Sequence, residues 1–501
     1  MPVEEKSAMS EDALVNTGAE RWPDPDSAYL AVRRMQIKLH RWAGEDSSRR
    51  FGDLFNLVYD PAFLVHAWER VASNAGARTP GIDRVTVAHI ETRIGVEAFL
   101  DGIRNALKSG EFEPVEVRQV MIPKTSGKLR KLGIPTVADR VVQASLKAVL
   151  EPIFEADFLP CSYGFHPNRR AHDAIAEIHF LASSPRNYQW VLEADIKACF
   201  DEIDHTALMS RLRDRIRDKR VCALVRAFLK SGVMTAFGEA EESLAGTPQG
   251  GILSPLLANI ALSALDEYFD RQWREMMSTD KRRRTRKRKG LGNWRIIRFA
   301  DDFVLMVSGE RRHAEALREE VARVLAPLGL RLSPEKTRVV HVDDGFDFLG
   351  LTIRRQRKRG TQKHYIYTKP SKKAIQSIKD KVKEKVNRST LHLDLDRLLT
   401  SLNRMMRGWA NYFRHGVSKQ VFHAVDNHAW HRVTKWIHRK HSRLKWSELR
   451  RRFCRPGTWI IAHNGVEFTR ASSVKVTRYR YRGSTIPTPW TPRPAATGIG
   501  G

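Results

Sequence analysis

Two adjacent carboxylates, Asp301-Asp302, interrupt one apolar run, and a third, Asp195, ends another. The pair sits in WRIIRFADDFVLMVS (294–308), whose apolar arms read as a β-hairpin with the acids at its tip. Asp195 closes the short, mostly apolar strand of WVLEADI (190–196). Neighbouring carboxylates repel each other and lose hydration in apolar surroundings unless something positive joins them. A divalent cation is the natural counter-charge, because Mg²⁺ takes a few carboxylate oxygens and completes its shell with phosphate and water. If the two strands are neighbours in one sheet, Asp195 and Asp301 face each other across it. Two ions about 3.5–4 Å apart there would activate a 3′-hydroxyl and stabilise a leaving pyrophosphate in an in-line displacement. Taken singly, each site also has a simpler reading, in which Asp301-Asp302 caps a turn and Asp195 caps a helix.

The elements that must position these acids follow from hydrophobic periodicity. Residues 28–73 are helical in pattern, and a helix follows over 97–108. VEVRQVMIP (115–123) reads as a strand that turns at Ser126-Gly127 and returns, giving a basic hairpin. Helices are expected over 139–154, 170–181, 205–216 and 221–230. The glycine-rich turn GTPQGGILSP (246–255) opens a long amphipathic helix marked by Leu256, Ile260, Leu265 and Phe269. KRRRTRKRKG (281–290) reads as an exposed basic loop, and FDFLGLTI (346–353) as one strand-like apolar stretch. After about residue 370 three helices follow, studded with Lys, Arg and His. The tail from Trp459 alternates like short strands and ends in a Pro- and Gly-rich segment expected to be loose.

The bulk numbers narrow the partners. The chain has 501 residues, enough for two to four domains, and 42% hydrophobic residues supply real cores. Lys and Arg number 87 against 57 Asp and Glu, leaving +30, a field that attracts polyanions. Nucleic acid is the first candidate and an anionic membrane surface the second. The four cysteines form no C-x-x-C pair, which argues against a zinc knuckle or a disulfide framework and suits a reducing cytosol. The acidic, polar N-terminus lacks a secretory h-region, and no run approaches the ~20 apolar residues of a bilayer span. The expectation is a cytoplasmic protein without a membrane partner.

At RFADDFVLM the pattern resembles the (Y/F)-A-D-D box of reverse transcriptases. IPKTSGKLRKLGIP, LEPIFEADFLPCSYGFHPNRRAHDAI, WVLEADIKACFDEIDH, GTPQGGILSPLLANI, GLRLSPEKTRVV and FDFLGLTI stand around it in the family's order. GWANYFRHG (408–416) is similar to the motif of the maturase, or X, region. Together they look like a group II intron-encoded reverse transcriptase/maturase over roughly residues 45–450. The resemblance implies an α+β right-hand polymerase, with fingers and an antiparallel palm sheet, followed by an α-helical thumb/maturase domain. The expected division is a disordered leader (1–25), an N-terminal extension and fingers (26–185), a palm (186–365), the thumb/maturase domain (366–450) and a basic DNA- or RNA-binding tail (451–501).

Carried over residue by residue, the resemblance makes Asp195, Asp301 and Asp302 the ligands of two Mg²⁺ ions, with the carbonyl of Ile196 touching the nucleotide-bound one. Phe200 matches the steric gate that crowds a 2′-hydroxyl and favours dNTPs; a core phenylalanine is the plainer alternative. Lys124 and Arg130 flank the hairpin at positions that hold the triphosphate, as a point charge and a fork respectively. Gln249 resembles the residue packed by nucleotide and template base, and Lys336 the residue that protonates the leaving pyrophosphate. In the thumb, Arg407, Trp409, Tyr412 and Arg414 are the candidate RNA contacts, although aromatics at helical spacing also serve as core. Implied partners are group II intron RNA, a DNA target or primer, and dNTPs, in a nucleoid-associated ribonucleoprotein.

The chain departs from the family pattern in places. Phe299 stands where most relatives have Tyr, and His166, Asn168 and Arg170 stand where Arg, Gly and Ser are usual, which puts a template contact in doubt. Only Cys454 follows residue 450, so no cysteine-paired HNH endonuclease is expected there. Two other readings compete: a splicing protein whose polymerase has lapsed, and a reverse transcriptase of a retron, diversity-generating or defence system. The intact acids argue against the first, and GWANYFRHG with a long thumb against the second.

Overall fold

The computed structural model describes residues 22–123, 129–234, 240–241, 245–247, 250–483 and 485–491. Residues 1–21 of the expected leader therefore lie outside the described residues, as do Lys124 and Gln249, whereas Trp22 donates its indole N–H to Asp101 and Asp24 already caps the first helix, so the expected disorder does not reach residue 25. Helices Pro25–Glu45, Pro61–Ala72, Val96–Ser109 and Val137–Glu155 form the N-terminal part. Asp24, Asp60 and Thr136 each cap a following helix by accepting backbone N–H bonds. The basic hairpin is β1 (Val117–Pro123) with β2 (Leu129–Ile134), and β4 (Val233–Met234) and β5 (Ala240–Glu241) extend it in the order β2-β1-β4-β5.

The palm sheet has the order β6-β7-β3-β8, from β3 (Trp190–Asp195), β6 (Asn293–Phe299), β7 (Asp302–Ser308) and β8 (Arg338–His341). All its pairings are antiparallel. A strand sends alternate side chains to opposite faces. Phe303, Leu305 and Val307 thus join the core shared with the fingers, and Val304 and Met306 the core shared with the thumb. Helices Ser254–Met276 and Arg311–Leu325 pack on the first face and Ala171–Ala182 on the second. The thumb follows as Lys372–Lys385, Leu395–Phe413 and Lys419–Lys440, closed around Ile378, Leu402, Met406, Phe422, Val433 and Trp436.

Three expectations are corrected. The basic run is a helix, Asp280–Arg288, started by Thr279 and tied back through Arg286 to the Gly292 carbonyl. FDFLGLTI is two strands, β9 (Phe346–Phe348) and β10 (Leu351–Arg357), because Leu349 (φ 49°) and Gly350 (φ 76°) turn the chain between them. The described residues of the tail are tied down, while residues 484 and 492–501, most of the Pro- and Gly-rich end expected to be loose, lie outside the described residues. Tyr479 and Arg482 bind Asp173, Tyr481 stacks on Phe180, and the Trp490 indole N–H donates to Gln36 at 3.0 Å. It crosses from thumb to palm to N-terminal helix, because its aromatic rings find apolar faces there.

Candidate active site

Register places the acids. Asp195 and Asp302 are opposed Cα partners across β3 and β7, and Phe299 opposes Asp302 from β6. The residue facing Asp195 is therefore Asp302, while Asp301 sits in the tight turn between β6 and β7. Ala300 adopts φ 58° to make that turn, a conformation that costs an L-residue about 1–2 kcal/mol unless neighbours hold it. Gly164 is what lets a loop lie against it: a Cβ there would stand 2.2 Å from the Ala300 nitrogen.

Below the turn lies a buried polar network that the sequence reading missed. Arg298 is fully buried and donates from Nε and Nη2 to both Asp266 oxygens. Its Nη1 donates to the Ala300 carbonyl at 2.9 Å and to Asn259 Oδ1 at 3.0 Å. The Asn259 amide in turn donates to the Gly164 carbonyl at 2.9 Å. One guanidinium thus holds the carbonyl of the left-handed residue directly before Asp301. His166 is buried beside this network, 2.7 Å from Ser162 Oγ and 2.6 Å from Glu155. It therefore faces inward instead of toward a template. Burial pushes the Glu155 carboxyl up to about 7 and holds the His166 ring well below its usual range, so it favours the uncharged form of both.

The acids are electrostatically short of positive charge. Burial first, and then Asp301 and Asp195, push the Asp302 carboxyl up to about 7; its edge reaches solvent but protein crowds it. Asp301 is raised by burial and by Asp195. Lys336 answers part of this, its ammonium donating to Asp195 Oδ2 at 2.7 Å. The SPEKT turn delivers it, because Ser333 N–H donates to the Asp195 carbonyl at 2.8 Å and Leu332 bridges Ile196. The contact raises the Lys336 pKa, so the side chain stays an ammonium. Among the described residues, no group of three or more His, Cys, Asp and Glu side chains is arranged to hold a metal ion. Carboxylates that still repel one another would suit a divalent cation that draws its other ligands from phosphate and water.

Arg130, exposed on the hairpin, is near enough for its charge to favour ionised Asp301. Gly250 (φ 117°) presses on that hairpin, where a Cβ would meet the Gly133 carbonyl at 2.4 Å. Phe200 lies on the turn after Asp195, half-buried, its ring edge-on to Phe165 at 6.3 Å. The thumb candidates divide. Arg407 is exposed, but Trp409 packs on Phe413 and Phe422. Tyr412 donates its hydroxyl to the Leu349 carbonyl at 2.8 Å, and the Arg414 carbonyl accepts from Thr477 N–H. The two rings are thus structural, and Tyr412 holds the turn between β9 and β10.

Comparison with known proteins agrees with this architecture. Residues 122–353 match the family described as reverse transcriptase (RNA-dependent DNA polymerase), and residues 375–454 the group II intron, maturase-specific domain. Protein YkfC of Escherichia coli is 38% identical over 366 residues, 69% of this chain and 94% of that protein. The group II intron-encoded protein LtrA of Lactococcus lactis is 32% identical over 64% of this chain and 59% of its own length. An uncharacterized 91 kDa protein in the cob intron of Schizosaccharomyces pombe is 28% identical over 74% of this chain and 52% of its own. The chain belongs to the family of group II intron-encoded reverse transcriptase/maturases.

Proposed function

We propose that the chain copies group II intron RNA into DNA from a DNA primer, with Asp195, Asp301 and Asp302 as ligands of two Mg²⁺ ions and the Ile196 carbonyl beside them. The observation that carries this is the register that sets Asp195 against Asp302 with Asp301 one residue away. When bound, the ions would supply Lewis acidity to the 3′-hydroxyl and the leaving diphosphate. Arg130, with Lys124 by resemblance, binds the triphosphate of the dNTP. Phe200 limits the sugar, and Gln249, by resemblance alone, belongs beside the nucleotide. Lys336 orients Asp195 through its hydrogen bond to Oδ2, and its ammonium supplies positive charge beside the leaving group. The helical half grips folded intron RNA through its cations, and the ribonucleoprotein works in the cytoplasm at the nucleoid.

Primer extension on poly(rA)/oligo(dT) with Mg²⁺ tests the polymerase reading. Wild-type protein incorporates dTTP, and Asp301→Asn loses incorporation while keeping its RNA affinity. Well-folded wild-type protein that incorporates nothing overturns the reading in favour of a splicing protein alone.

A further inference from the structure

Three residues beside the acids hold left-handed backbone although none is glycine: Ala198 (φ 43°), Ala300 (φ 58°) and Phe165 (φ 63°). For the two alanines, the tight turns that follow Asp195 and precede Asp301 are reason enough. Phe165 needs another, because a bulky side chain makes this conformation costly and glycine or asparagine adopts it more readily. Burial does not supply the reason, since the ring stays 47% exposed. Strain of this kind persists only where the surroundings enforce it, and it gathers at functional sites.

Here the surroundings do enforce it. On one side, Gly164 lies against Ala300, and its carbonyl accepts from the Asn259 amide at 2.9 Å. On the other, the buried His166 ring is bonded to Ser162 and Glu155 and stands edge-on to Phe158 at 4.9 Å. Arg169 ties down the same loop by donating to the Leu159 and Ser162 carbonyls. With both neighbours anchored inward, the Phe165 ring is left half-exposed and edge-on to Phe200. The Phe200 backbone is fixed as well, because its carbonyl accepts from Thr247 N–H and Gly246 packs closely on it. What stays free in Phe200 is the rotation of its ring, and Phe165 is the ring that meets it.

We propose that Phe165 is a positioning residue for nucleotide selection, holding the Phe200 ring in the orientation that crowds a 2′-hydroxyl. The proposal rests on the reading of Phe200 as the sugar-limiting residue. Its test measures kcat/KM for dTTP and for UTP on poly(rA)/oligo(dT) with Mg²⁺. Phe165→Asn removes the ring and suits the left-handed backbone, so the variant folds. An edge-to-face pair biases ring orientation by roughly 2- to 12-fold, and the UTP-to-dTTP ratio should rise by about that factor. Phe165→Tyr keeps the ring and should keep the wild-type ratio. In a Phe200→Ala background, Phe165→Asn should leave the ratio where Phe200→Ala alone puts it, because the effect runs through one contact. An unchanged ratio in Phe165→Asn, a parallel loss of both nucleotides, or an equal rise in the Phe200→Ala background overturns the proposal alone. Phe200→Ala protein that incorporates dTTP and still excludes UTP overturns the sugar-limiting role of Phe200, and the proposal with it.

Discussion

Arg298→Lys separates a positioning role from a merely structural one. Lysine keeps the charge and can stay near Asp266, but one ammonium cannot also reach Asn259 and the Ala300 carbonyl as the fork does. Two hydrogen bonds to a charged donor are lost, each contributing about 1.5–3 kcal/mol. A loss of about 3–6 kcal/mol results. The unclamped Ala300 then relaxes from φ 58°, and Asp301 and Asp302 move with it. Displacement by about 1 Å costs up to roughly 100-fold in rate. The expected result in primer extension is a kcat for dTTP lowered about 10- to 100-fold, KM changed less than about threefold, and half-saturation shifted to higher Mg²⁺. Urea unfolding of the same sample gives the folded fraction. Wild-type kcat and Mg²⁺ response in a variant that unfolds more easily would refute the positioning argument, as would activity that merely tracks the folded fraction.

Gly164→Ala should remove activity or folding, because the added Cβ meets backbone at 2.2 Å and no rotamer relieves it; a soluble variant with wild-type extension contradicts this. Glu155→Gln should be tolerated, since its neutral amide can meet His166 Nδ1 as donor or as acceptor. The Glu155 carboxyl titrates near 7 when folded and near 4.5 when unfolded, so the folded state binds more protons between those values. Its contribution to stability is full below about 4.5 and is lost as pH rises toward 7, by an amount of order 3 kcal/mol. Urea midpoints of wild type relative to Glu155→Gln should therefore fall across that window, and a flat or rising difference would show an ionised pair instead. Tyr412→Phe should cost about 1 kcal/mol in stability through the lost bond to Leu349 while leaving RNA affinity unchanged; a large affinity loss would return the ring to the RNA interface.

The palm and its acids were legible because each depends on a local pattern: apolar arms, alternating burial and carboxylates at strand ends. Those signals fix that Asp195 and the Asp301-Asp302 pair terminate strands, but not which acid opposes which, since a one-residue shift of register exchanges them. The thumb helices were legible for the same local reason. Tyr412 and the tail were not, because a ring at helical spacing looks the same whether it meets RNA or another strand's carbonyl. The buried network left a trace that could have been read. Asp266 stands between Leu262, Leu265 and Phe269 on the apolar side of its helix, and Arg298 stands between Ile297 and Phe299 in its strand. Two opposite charges in core positions of separate elements need each other, because neither can be buried alone. That pairing explains how the chain accommodates its departures from the family. The catalytic turn is held by backbone register and by the Arg298 fork on a carbonyl, and neither contact uses a hydroxyl at position 299 or an arginine at 166. Phe299 and His166 are accordingly compatible with the observed placement of Asp195, Asp301 and Asp302.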